Sequence, residues 1–278
     1  MPLLHVVILA IVQGITEFLP VSSSGHLVLV WEGFQASGMQ APEQTMNQQL
    51  TLDVAVHVGT LLAVCVYFRR DVWAMIVGLG KLATGRLDAG ARLALFVIVS
   101  AVPLALVGGF FKDAIALNLH DIEVVAWATI GFGIVLYLSD RAGMTLRRIE
   151  HMTLLSALLI GVAQVLSLIP GTSRAGITMS MARILGFERA EAARFSMLMA
   201  IPAISGAGLL VSLDLIDSGD VSLGVDALIA VGLAFVFALV AISVLISWLQ
   251  RSGFTPFVVY RILLGVALLG WIYGVFGS

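Results

Sequence analysis

The chain has 278 residues, 60% of them apolar and only 12% charged, where an ordinary soluble domain carries about 25% charged residues. With a net charge of −2 and a mean hydropathy of +1.05, a water-soluble enzyme and a nucleic-acid-binding protein are both excluded. The single cysteine, Cys65, lies in an apolar run, which leaves no intrachain disulfide and no cysteine-based metal cluster.

No Lys or Arg precedes Arg69, so the start lacks the basic region of a cleaved signal peptide and is expected to remain in the mature protein. The first apolar stretch, 3–31, is broken by the turn-forming cluster Pro20-Val21-Ser22-Ser23-Ser24-Gly25. Each arm is too short to cross about 30 Å of hydrocarbon, which takes roughly 20 residues. The stretch is expected to form a re-entrant hairpin whose irregular tip is enclosed by protein or lines a wet cavity. Crossings are expected at 50–68, 91–111 and 122–139, with a short interfacial helix over 71–83 between the first two. A second interrupted stretch, 152–187, breaks at Pro170-Gly171-Thr172-Ser173-Arg174, and crossings follow at 195–213, 225–248 and 256–276.

The expected fold is an all-α polytopic membrane protein with six transmembrane helices and two re-entrant hairpins. Residues 1–140 and 150–278 each carry one hairpin and three crossings. An odd number of crossings inverts the second half, giving two inverted-topology repeats in one integral membrane domain. Such repeats hold their sites where the broken helices meet. Gly14, Glu17, Leu19 and Ser23 are echoed by Gly161, Gln164, Leu166 and Ser173, the last pair needing a three-residue gap. If 69–92 is cytoplasmic, alternation puts Arg69, Arg70, Lys81, Arg86, Arg92, Arg141, Arg147, Arg148, Arg189, Arg194 and Arg251 on that side and only Lys112 opposite, as short cytoplasmic loops require.

The chemistry concentrates at the two breaks. Gln13 and Glu17 stand four residues apart and share one face of a helix. An ionisable Glu17 at membrane depth marks function; a protonated carboxyl bonded to backbone is the alternative. Ser22, Ser23, Ser24 and Gly25 make a hydroxyl-rich turn leading into a helix, which suits an oxyanion such as phosphate. His26 can shuttle protons near neutrality. Arg174 cannot deprotonate and needs an anion: Glu17 in a buried ion pair, or a phosphate that its fork meets with two parallel bonds. Thr178, one turn on, extends the same polar face. A carboxylate, a histidine, hydroxyls and a guanidinium together suit phosphoryl transfer better than ion conduction. Asp53, His57 and Thr60 form a second polar stripe that supports the site, lines its entrance or bridges helices. Arg183 and Arg261 are expected to snorkel to a nearby membrane surface in structural roles.

The segments QGITEFLPVSSSGHL at 13–27, LDVAVHVGTLLAVCVYFRR at 52–70 and PGTSRAGIT at 170–178 together resemble the undecaprenyl-diphosphate phosphatase family, also called the bacitracin-resistance protein family. The resemblance covers essentially the whole chain. It implies an integral enzyme of the bacterial cytoplasmic membrane that removes the terminal phosphate of undecaprenyl diphosphate, regenerating the carrier for cell-wall synthesis, with bacitracin competing for that substrate. It also implies dependence on a divalent metal.

Carried over residue by residue, the resemblance makes Glu17, Ser23, His26 and Arg174 catalytic. The family's P-G-x-S-R motif falls on Pro170, Gly171, Ser173 and Arg174, and with the turn hydroxyls read above, Ser22, Ser24, Gly171, Thr172, Ser173, Arg174 and Thr178 would bind the diphosphate. Glu17 and Gln13 would hold Mg²⁺ or Ca²⁺, since a bare carboxylate beside a diphosphate repels it unless a cation lies between. Asp53 and His57 would support them. Gln13 stands where many members have a second Glu, and Ala175 where the family usually has Ser. The nucleophile stays open between His26, Ser23 and metal-bound water. Membrane lipids and a second copy of the chain are expected partners, and the site is expected to face the extracytoplasmic side. A carrier moving a lipid phosphate or another anion is the runner-up. The other large class of membrane lipid phosphatases, with Ser-Arg, five residues, then His, is excluded, because Ser180 stands at that spacing.

Overall fold

The computed structural model describes residues 3–36, 46–118, 121–143, 146–205 and 221–274, and these are overwhelmingly helical. In chain order the helices are α1 (Leu3–Thr16), α2 (Ser23–Ala36), α3 (Met46–Tyr67), α4 (Arg69–Leu82), α5 (Ala89–Asn118), α6 (Ile122–Ala142), α7 (Leu154–Gln164), α8 (Arg174–Ile184), α9 (Arg189–Leu198), α10 (Val221–Leu249) and α11 (Thr255–Ile272). Five of them, α3, α5, α6, α10 and α11, contain segments long and apolar enough to cross a membrane, which makes the chain a multi-pass membrane protein. The crossing expected over 195–213 lies partly outside the described residues. Within them α9 stops at Leu198, Met199 forms a turn, and helix resumes over 200–205. Pro202 explains the break, because a proline ring clashes with the carbonyl four residues before it.

Both interrupted stretches form two helices joined by a turn and packed on each other, α1 with α2 and α7 with α8. The short α4 covers the span expected at the interface. It packs on α5 and exposes Trp73, Ile76 and Leu79. Where the α4–α5 turn closes, Lys81 donates to Asp88 at 2.7 Å and, with the Ala91 N–H, holds that exposed carboxyl below the ordinary carboxylate range.

The long helices pack closely where small residues let backbones approach. α1 and α3 both lie on α10, α7 on α5, and α6 on α11. A Cβ added at Gly59 would strike the Val231 carbonyl of α10, and one at Gly161 the Ser100 carbonyl of α5.

The basic residues gather at one end of this bundle. Asp140 at the end of α6 accepts from Arg183 at 3.0 Å and from Arg189 at 2.7 Å, and its other oxygen meets the Phe254 N–H at 3.4 Å. Arg194 of α9 pairs with Asp71 of α4. Arg183 does not snorkel. It is fully buried and also donates to the carbonyls of Asp140, Gly143 and Phe187. These carbonyls sit where helices end and leave acceptors without intrahelical partners, and a five-donor guanidinium is suited to collecting them.

The two turns also echo each other. Ser22 and Ser173 both immediately precede a helix. Each serine has positive φ, 75° and 71°, and each hydroxyl accepts the N–H of a glycine, Gly25 at 3.3 Å and Gly176 at 3.1 Å. These pairs stand in one ungapped register, which sets Gln13 against Gln164, Glu17 against Leu168 and Ser23 against Arg174. The gapped match of Gly14 with Gly161 is shifted from this register by four residues, close to one helical turn, so it keeps the same buried face; both glycines are points of close approach, Gly14 to α10 and Gly161 to α5. The buried stripe of α1, including His5, Val6, Leu9, Ala10 and Gln13, coincides in the new register with Ser156, Ala157, Ile160, Gly161 and Gln164 of α7.

Candidate active site at the two turns

Glu17 lies just past the end of α1, where the chain leaves the helix for the turn, and it is buried. Its two carboxylate oxygens accept from three donors, with a histidine nearby. Oε2 accepts from Gln13 Nε2 at 2.8 Å and from Ser23 Oγ at 2.7 Å, and His57 Nε2 stands 3.8 Å from it. Oε1 accepts from Arg174 Nη2 at 3.0 Å. The ion pair offered as one partner for Arg174 is therefore formed, and it joins the start of α8 to the first turn. The other arm of the fork, Nη1, donates to the Ser196 carbonyl of α9 at 3.2 Å, so the guanidinium plane is fixed from both sides.

Several of the remaining hydroxyls are engaged in the turns themselves. Ser22 and Ser173 cap their helices, and the exposed Ser24 pairs with Ser22 at 3.3 Å. Thr178 donates to the Arg174 carbonyl at 2.8 Å and lies 2.7 Å from Ser196 Oγ; it steadies the base of Arg174. Thr172 is fully buried, and its hydroxyl has no partner among the described residues. The φ of Ser22 and Ser173 is costly for a residue with a Cβ, of order 1–3 kcal/mol each. Such strain persists only when the surroundings fix it.

His26 is turned away from Glu17. Its Nδ1 lies 2.7 Å from the Ser22 carbonyl and its Nε2 2.6 Å from the Tyr260 hydroxyl of α11, with the two rings stacked. A carbonyl can only accept, so Nδ1 carries the proton, and in the neutral ring Nε2 accepts from Tyr260. Of the second polar stripe, His57 reaches the site. Asp53 instead accepts from Trp31 Nε1 of α2 at 3.2 Å, and its carbonyl orients His57 Nδ1 at 2.5 Å.

Arg261 departs most from expectation. It is fully buried rather than snorkelling, and no carboxylate meets it in the described residues. It donates to the Pro20 carbonyl of the first turn at 3.2 Å, to Gly171 and Thr172 of the second at 2.9 and 3.0 Å, and to Thr129 of α6 at 3.0 Å. Irregular backbone inside an apolar bundle leaves carbonyls that must be satisfied, and one side chain satisfies both turns. Tyr260, Arg261 and Ser196 were not singled out as site residues from sequence. Arg261 carried the same signal as Arg174, a cation in an apolar run; Ser196 and Tyr260 carried none.

Gly171 has φ of 93°, and a Cβ there would strike the Val125 carbonyl of α6. Gly171→Ala is expected to destabilise by at least about 2 kcal/mol, seen as a lower melting temperature in detergent. An unchanged melting temperature would show that the second turn relaxes freely.

For a metal, Glu17 offers its carboxylate, and Gln13, which faces it through Nε2, has its Oε1 buried with no partner among the described residues, an oxygen that a flip of the amide would bring to the carboxylate. That unpaired carbonyl and the carboxylate fit a hard cation. No cluster of three His, Cys, Asp or Glu side chains suited to a metal exists among the described residues.

Residues 6–267 match the family described as bacitracin resistance protein BacA. The chain belongs to that family. It is 48% identical over 276 residues to undecaprenyl-diphosphatase 1 of Rhodospirillum rubrum, covering 98% of this chain and 96% of the relative. It is 45% identical over 275 residues to an undecaprenyl-diphosphatase of Roseobacter denitrificans, covering 98% of this chain and all of the relative. A third undecaprenyl-diphosphatase, from Hahella chejuensis, is 47% identical over 274 residues, covering 97% of this chain and 98% of the relative.

Proposed function

We propose that the protein is a bacterial membrane phosphatase that hydrolyses undecaprenyl diphosphate to undecaprenyl phosphate and inorganic phosphate, and that bacitracin competes with it for the substrate. The observation that carries this reading, beside the family, is the buried Ser23–Glu17–Arg174 constellation joining the two turns. Arg174 is the group for the phosphate oxygens, since its planar fork matches them and its charge offsets the negative charge that moves in the transition state. Ser23 Oγ, hydrogen-bonded to Glu17, attacks the terminal phosphorus; its proton passes to Glu17 as the anhydride P–O bond breaks and undecaprenyl phosphate leaves. Water then attacks the phosphorus of the serine ester, its protons leave with the inorganic phosphate, and Glu17 returns the proton it holds to Ser23 Oγ as the Oγ–P bond breaks. Tyr260 holds His26 at the edge of the turn, where its Nδ1 meets the Ser22 carbonyl.

Gln13 and Glu17 would hold a divalent cation, which would supply charge neutralisation between carboxylate and diphosphate. Gln13→Glu is expected to keep activity and lower the metal concentration giving half-maximal rate, measured by titrating Mg²⁺ into chelator-treated protein. A higher requirement would remove Gln13 from the metal site.

The two stretches are re-entrant and belong to inverted-topology repeats spanning 1–140 and 150–278. The ungapped register of the turns and the matched packing of α1 on α10 and α7 on α5 support this. The basic end is cytoplasmic by the charge rule, so the turns open to the extracytoplasmic side of the inner membrane. Gly85→Cys is expected to escape an impermeant thiol reagent on intact cells and Ser37→Cys, outside the described residues, to react. The reverse pattern would turn the protein over.

The test of function is phosphate release from an isoprenyl diphosphate by purified protein in detergent, with and without chelator. A phosphatase works there without a second compartment. No release in detergent, together with lipid movement in sealed vesicles, would point to a carrier.

A further inference from the structure

Gln164 closes α7 on its buried stripe and is completely enclosed, yet neither atom of its carboxamide has a partner among the described residues. In the register of the two turns it is the counterpart of Gln13. Gln13 donates to Glu17, but the position matching Glu17 in the second stretch is Leu168, which has nothing to accept. In either register, one helical turn apart, Gln164 stands at the place of a site residue of the first stretch, Gln13 or Glu17, without the partners that those have. In the same stretch Thr172 presents a second wholly buried hydroxyl without a partner, immediately before the Ser173–Arg174 start of α8. A buried amide left unpaired costs free energy comparable to a lost hydrogen bond or more. An apolar side chain of the same shape avoids that cost, so the retained carboxamide points to an occupant that comes and goes.

We propose that Gln164 and Thr172 bind the oxygens of the phosphoryl group that Arg174 does not take, making the second stretch the seat of the phosphate that stays on the lipid. The assignment rests on the phosphatase reading above and deepens it. A carboxamide N–H₂ and a hydroxyl are neutral donors. They hold an anionic oxygen without the tight grip of a guanidinium, which suits the half of the substrate that must depart as product. The arrangement divides the diphosphate between the stretches: Arg174, tied to Glu17 and Ser23, for the terminal phosphate, and Gln164 with Thr172 for the inner one.

The experiment compares Gln164→Leu and Gln164→Met with wild type in detergent, reading melting temperature, KM and kcat for a short isoprenyl diphosphate, and inhibition by the corresponding isoprenyl monophosphate. Wild-type phosphate release is the control for the phosphatase reading. If it is absent, that reading fails, whatever Gln164 does. The expected result is a melting temperature equal to or above wild type, because an unpaired buried amide is removed. KM and the inhibition constant for the monophosphate should each rise about tenfold or more, as for a lost hydrogen bond to a charged oxygen, while inhibition by inorganic phosphate stays within about twofold. Unchanged KM and monophosphate inhibition would overturn the proposal. So would a fall in melting temperature or a failure of both variants to fold, since either would make the amide part of the scaffold, satisfied by a permanent water.

Discussion

Glu17→Gln is expected to reduce phosphate release about a thousandfold, even in excess metal. The carboxylate accepts from Gln13, Ser23 and Arg174 at once. A carboxamide has the same shape but offers one acceptor oxygen, and its NH₂ faces donors on the other side. Removing one partner of a buried ion pair leaves an uncompensated charge, here on Arg174, at a cost of about 4 kcal/mol, which corresponds to about three orders of magnitude in rate if expressed in the transition state. The proton acceptor for Ser23 is lost in the same step. The measurement is initial rate of phosphate release across a metal titration, with a melting curve to confirm a folded protein. A rate within tenfold of wild type would show that Glu17 merely neutralises Arg174.

The second large effect concerns the opposite partner. Arg174→Lys is expected to lower kcat/KM about a hundredfold, near 3 kcal/mol for losing a preorganised donor aimed at growing charge. Lysine can still reach the Glu17 carboxylate, so the cross-link between the turns survives and the melting temperature changes little. What is lost is the plane fixed between Glu17 and the Ser196 carbonyl, and a point charge cannot present two parallel donors to a phosphate. Near-normal turnover would reduce Arg174 to a structural ion.

The sequence made both broken stretches visible because Pro, Gly and Ser clusters interrupt apolar runs too short to span. It also made Arg174 and Glu17 visible, because isolated charges in such runs demand partners. The positive φ of Ser22 and Ser173 was not legible, since strain is imposed by packing and serine carries no mark of it. The equivalence of Ser22 with Ser173 was not legible, because the shared backbone conformation and glycine contact that show it leave no identity pattern beyond a pair of serines. The interruption of α9 at Met199 escaped a hydropathy reading, although Pro202 was there to signal it. His26 stood out in the sequence by its neighbours, but its stacking on Tyr260, far along the chain, is a product of α11 packing.

Arg261 holds the first turn, the second turn and α6 together, yet it belongs to the last described helix of the chain. Synthesis runs from the N-terminus, so Glu17, Ser23 and Arg174 all emerge before the residue that fixes their supporting turns. The centre is consequently completed late in assembly. Until α11 docks on α6, the carbonyls of Pro20, Gly171 and Thr172 wait for their donor, and among the described residues the Glu17–Arg174 pair is the hydrogen bond that joins the two turns. A chain halted before that helix would carry every chemical group proposed for the reaction without the brace that sets their relative positions. Docking of α11 therefore acts as an assembly check, coupling the arrival of that helix to a braced centre.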